Sequence, residues 1–71
     1  MRFLLKEEDK LSVLSWLISN LGSPALRNGW IWSPVYPQTK FGNGIIVHIG
    51  AREDCTAFVL NNSDYIVSRA E

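Results

Sequence analysis

Apolar and polar positions recur along this chain with two different periods, and the change of period divides it into elements. Between Lys6 and Gly22 the apolar residues return every three or four positions. At about 100° per residue, Leu11, Leu14, Leu17, Ile18 and Leu21 fall on one stripe, with Val13 at its border. Three acids, Glu7, Glu8 and Asp9, open the segment, and Gly22 followed by Pro24 closes it. Acids favour a helix N-terminus and a Gly-then-Pro sequence stops a helix, so this segment reads as a helix with the leucine stripe as its core face. Arg2 to Leu5 reads as a short strand ahead of it.

Beyond the helix the pattern becomes that of strands. Ser23 to Asn28 is a connector and Asn28-Gly29 a turn, after which Trp30-Ile31-Trp32 reads as a strand. Pro34 and Pro37 interrupt that strand and confine it to a sheet edge, because proline has no N–H for a ladder. Lys40 to Gly44 is a loop, and Ile45 to Ile49, rich in β-branched residues and bounded by Gly44 and Gly50, is the clearest strand. The charged reversal Ala51 to Asp54 leads into Cys55 to Leu60 as a second strand, and Asn61 to Asp64 turns into Tyr65 to Ser68 as a third. Loops this short join neighbours, so these three strands are expected to form an antiparallel meander. The whole chain, residues 1–71, is therefore expected to be a single α+β domain. One amphipathic helix packs on a small antiparallel sheet of three to five strands, in a β-α-β-β-β-like order.

The faces of these elements leave apolar surface over. On the helix, the side opposite the leucines carries Asp9, Ser12, Trp16, Ser19 and Asn20, and no charge follows Lys10. A solvated helix face usually carries Lys and Glu, so one large tryptophan among small serines has two readings. Trp16 either folds sideways onto a loop or onto the aromatic segment at Trp30, or anchors a contact with another chain. Along the strands, Ile45, Val47 and Ile49 oppose Ile46 and His48, and Tyr65 and Val67 oppose Ile66 and Ser68, so neither face is plainly polar. Sheets covered on both sides have that signature, yet one helix covers one face. The other face calls for cover from the Trp30 to Phe41 segment, from a second copy, or from a different partner.

Composition narrows the class. Hydrophobic residues make up 46% of the chain and charged residues 20%, which suits a folded domain and not a disordered one. At 71 residues the core is small and its margin thin. Seven basic residues balance seven acidic ones, so no overall field steers the chain toward nucleic acid or an anionic membrane. Cys55 is the single cysteine and has no intramolecular partner for a disulfide, which fits a reducing, cytoplasmic setting. The N-terminal apolar run is too short for a signal peptide, and no segment approaches a membrane span.

Candidate chemistry is sparse. His48 and Cys55 are each the only residue of their type, and a thiol activated by an imidazole is a real nucleophile. Each, however, lies in a segment whose other members read as core, so a structural histidine and a buried cysteine are the expectation. A tetrahedral zinc site has too few ligands here, and Gly42-Asn43-Gly44 lacks the strand-to-helix context of a phosphate loop. No catalytic residue, metal or cofactor is expected.

The leading expectation is a small, intracellular, non-enzymatic protein-binding module. It would regulate or inhibit a macromolecular partner by occupying a surface on it, as immunity proteins and phage-encoded inhibitors do, with self-association into a homodimer as a further expectation. The candidate partner-binding residues are Trp16, Ser12, Ser19, Trp30, Trp32 and Tyr36. In the alternative, Trp30, Trp32 and Tyr36 clasp a nucleotide or other small planar ligand, since residues two apart on a strand present their rings on one side. A weaker reading places Arg27, Lys40, Arg52 and Arg69 against nucleic acid.

Overall fold

The structure, a computed structural model, describes residues 1–39 and 42–70, and the side chains of all of these but 36–39 and 42. Six elements follow in the order β1 (Arg2–Lys6), α1 (Lys10–Leu21), β2 (Trp30–Thr39), β3 (Gly42–Ile49), α2 (Arg52–Asn62) and β4 (Ile66–Ala70), with single 3-10 turns before α1, before β2 and after α2. The four strands form one antiparallel sheet in the order β2-β3-β1-β4. Both helices are crossovers between strands that run parallel with a third strand lying between them, which is the split β-α-β arrangement repeated twice. The α+β class is thus present, with two helices on a four-stranded antiparallel sheet.

The segment expected to be a second strand, Cys55 to Leu60, is the middle of α2. Its residues satisfy a helical spacing equally well: Cys55, Phe58, Val59 and Asn62 stand at i, i+3, i+4 and i+7, and Glu53 and Asp54 occupy the first turn. The meander is replaced for a topological reason. Parallel strands require a connection of a dozen or so residues, and the run from Gly50 to Tyr65 supplies it by coiling into a helix. Polar side chains of α2 return to its own carbonyls, with Asn61 Nδ2 donating to Ala57 O at 2.8 Å and Thr56 Oγ1 to Arg52 O at 3.0 Å.

Helix α1 stops where expected. Gly22 lies at φ +91°, its N–H reaches Ile18 O at 3.0 Å, and a β-carbon there would sit 3.1 Å from the Asn28 side chain. The core side of α1 is nevertheless rotated from the leucine stripe. Val13 and Leu17 are fully enclosed, whereas Leu11 is 82% and Ile18 51% exposed. The cause is α2: α1 must face both the sheet and a neighbouring helix, which carries its buried arc toward Trp16 and away from Leu11.

Strand β2 lies at the sheet edge, as its prolines require, but runs on through Pro34 and Pro37 to Thr39 instead of ending there. Lys40 and Phe41 lie outside the described residues. One core forms between sheet and helices, from Phe3 and Leu5 of β1, Trp30 of β2, Ile45, Val47 and Ile49 of β3, Val13 and Leu17 of α1, and Cys55 and Phe58 of α2. The Phe58 ring is its keystone, 4.8 Å from the Phe3 ring and 5.9 Å from the Trp16 ring, edge-on to the latter.

Candidate binding surface

Strand register shows what the sheet presents on its other side. Alternation sends Phe3, Leu5, Ile45, Val47 and Ile49 to the helices, so the residues between them face away. They fall into three rows across the sheet. The first runs Ile31, His48, Arg2, Ala70; the second Ser33, Ile46, Leu4, Ser68; the third Val35, Gly44, Lys6. Leu4, Ile46, His48 and Val35 are half-buried, and Ile31 is 37% exposed. Neither helix crosses this side, and the Trp30 to Thr39 segment lies in the sheet as β2 instead of folding over it. An apolar centre of Leu4 and Ile46, extended by Ile31 and Val35 toward the β2 edge, is therefore bare.

The charge on this face is of one sign. Arg2 and His48 are direct cross-strand neighbours, and no carboxylate stands in any of the three rows among the described residues. Lys6, in the third row, has Glu8 at 3.9 Å, at the end of the sheet where the chain turns into α1.

The residues singled out in the sequence are not brought together. Trp30 is 1% exposed and its Nε1 donates to Gly22 O at 3.0 Å, so its ring belongs to the core and offers no face to a ligand. Trp32 lies on the same, helix-facing side of β2, half-buried against the core, with Lys10 Nζ 4.6 Å from its ring centroid. The side chain of Tyr36 lies outside the described residues. Trp16 packs on Phe58 of α2 and not on a loop or on the Trp30 segment, while Ser12 and Ser19 stay exposed on the outer side of α1 beside Leu11 and Ile18. The residues that sequence reasoning missed as a surface, Leu4, Ile31 and Ile46, carry a signal in the two-faced apolar strands. Assigning them to the uncovered side required the register.

His48 and Cys55 are separated by the sheet itself. His48 is on the uncovered side, whereas Cys55 is buried on the helix side with its Sγ 3.4 Å from Ile49 O. Of the four arginines and lysines in the nucleic-acid reading, Arg52 and Arg69 line one groove beside α2, Arg27 lies in the 3-10 turn before β2, and Lys40 lies outside the described residues. Among the described residues there is no cluster of three or more potential metal ligands, and no helix is long and apolar enough to cross a membrane. Comparison with family models, curated proteins and solved structures finds no match to the chain.

Proposed function

We propose that this protein is a small, non-enzymatic binding module that regulates or inhibits a macromolecular partner by occupying a surface on it, and that the uncovered sheet face is the surface it uses. The observation that carries this reading is the row Ser33, Ile46, Leu4, Ser68: two large aliphatic residues at the centre of a sheet, framed by serines, with no layer of the described residues above them. Polar-rimmed apolar patches of this kind support docking of a partner. Charge specifies the partner's character. Arg2 and Lys6, with no carboxylate in the rows among the described residues, favour a protein surface of apolar residues rimmed by acids. A second copy placed face to face would oppose like charges. Stacking of bases or other planar ligands has less support, because Trp30 and Trp32 turn their rings toward the helices.

Affinity capture from the native host, run with the wild type, Ile46→Asp and a Leu11→Asp/Ile18→Asp double variant, tests the assignment. The expected result is a partner retained by the wild type and by the helix variant, lost with Ile46→Asp, and weakened by raised salt. Retention by Ile46→Asp together with loss in the helix variant would place the docking surface on α1 and overturn the reading.

A further inference from the structure

On the helix side of the sheet, a groove of about 530 Å³ runs between α2, the start of β1 and the edge strand β4. Its floor and wall are apolar: Cys55, Val59 and Leu60 of α2 with Met1 of the chain start. Leu60 stands 77% exposed on its rim, so a long aliphatic side chain lies open to solvent beside a ready-made channel. Two arginines complete the lining, Arg52 at the first turn of α2 and Arg69 on β4. Register explains how Arg69 comes to be there. It pairs with Phe3, in a row that faces the helices, so on the outermost strand it reaches the open side of the core opposite α2.

Among the described residues, no carboxylate lines this groove. Glu53 neighbours Arg52 on α2 without lining it, and the Asp54 carboxylate turns to the far side of the helix, 3.9 Å from where a β-carbon on Gly29 would sit. Neither arginine has an ion-pair partner among the described residues. The Thr56 hydroxyl already donates to Arg52 O, and one N–H of the Met1 ammonium to Ile49 O at 2.8 Å, so the unspent donors of the lining are those of the two arginines and the remaining ammonium N–H groups.

We infer that this groove binds an alkyl carboxylate, a single aliphatic chain whose carboxylate head is held by Arg52 and Arg69 and whose tail lies along Val59 and Leu60. The two halves of the lining demand the two halves of such a ligand. The guanidinium fork matches a carboxylate through paired charge-assisted hydrogen bonds, and the apolar stripe at positions 55, 59 and 60 matches a methylene chain. The volume falls within the range of small-ligand clefts, which combine an apolar wall with a few polar groups that fix orientation. The apolar wall of this site lies on the helix side of the sheet, whereas Arg69 on the edge strand also borders the uncovered face beside Leu4, Ile46 and Ser68.

The test is an NMR titration of the labelled protein with octanoate, with octanol as the same chain lacking the charge, and with acetate as the head alone. Octanoate is expected to shift the Val59 and Leu60 methyl signals. Octanol is expected to bind roughly five- to tenfold more weakly, as loss of charge-assisted hydrogen bonds at a partly exposed site implies. Acetate should leave the methyls unmoved. Arg52→Gln and Arg69→Gln should each bring octanoate binding toward that of octanol, and Arg27→Gln should not. Equal affinity for octanol and octanoate, indifference of the Arg52→Gln/Arg69→Gln double variant, or the absence of shifts at Val59 and Leu60 would each overturn the inference.

Discussion

Trp30 shows how a single residue can hold two elements in place. Its ring fills the core at the β2 edge while its indole N–H satisfies Gly22 O, the carbonyl that closes α1. Buried tryptophans usually find such an acceptor, because an unpaired N–H in an apolar interior is costly. Replacing it with Phe keeps an aromatic ring but leaves that carbonyl without its donor. Trp30→Phe is expected to lower the unfolding free energy by about 1–3 kcal/mol in a urea titration. An unchanged midpoint and slope would show that water takes over the bond at no cost. The sequence reveals that Trp30 and Trp32 share a side of the strand, but not which side. Both possible faces of the sheet carry Ile, Val and Leu, so hydropathy does not distinguish them, and the two rings prove to belong with the helices.

At the scale of elements, the two helices account for both the departures from the sequence reading and its successes. The C-terminal end of α1 was legible because glycine and proline mark a helix stop through local chemistry, whereas the three acids ahead of it form a separate 3-10 turn, Glu7–Asp9, and α1 begins at Lys10. Its orientation was legible in part, since Leu14, Leu17 and Leu21 of the predicted stripe meet the core, while Leu11 and Ile18 are left out because the second helix turns the buried arc toward Val13 and Trp16. The rotation has a direct consequence. Leu11→Lys is expected to change stability by no more than about 0.5 kcal/mol, as for other exposed positions. Leu17→Ala should cost about 2–5 kcal/mol, as for other enclosed leucines. Thermal or chemical unfolding of the two variants checks this, and a large loss from Leu11→Lys would restore the leucine stripe as the core face. Helix α2 was hidden for a different reason. Cys55-Thr56-Ala57-Phe58-Val59-Leu60 is a short apolar run with β-branched members, which fits either period. The absence of Gly and Pro from Ala51 to Asn62 was the cue that favoured a helix.

For the molecule as a whole, the surplus of apolar surface could be read from sequence, whereas its location could not. Two helices on one side use up Phe3, Leu5, Trp30, Ile45, Val47 and Ile49, and no element among the described residues returns over Leu4, Ile31 and Ile46. That division follows from topology: both crossovers lie on the same side of the sheet, as connections of one hand require when they begin on antiparallel neighbours. A domain this small has little apolar area to spare, so a sheet face left uncovered by the described residues is the feature on which the proposed docking role rests. The most direct check is paramagnetic relaxation of side-chain methyls by a soluble probe, measured on the protein free and bound to its captured partner. The Leu4, Ile31 and Ile46 methyls should relax strongly in the free protein and be shielded in the complex, with Leu11 and Ile18 unchanged. Shielding of Leu11 and Ile18 while the sheet methyls stay accessible would contradict the account.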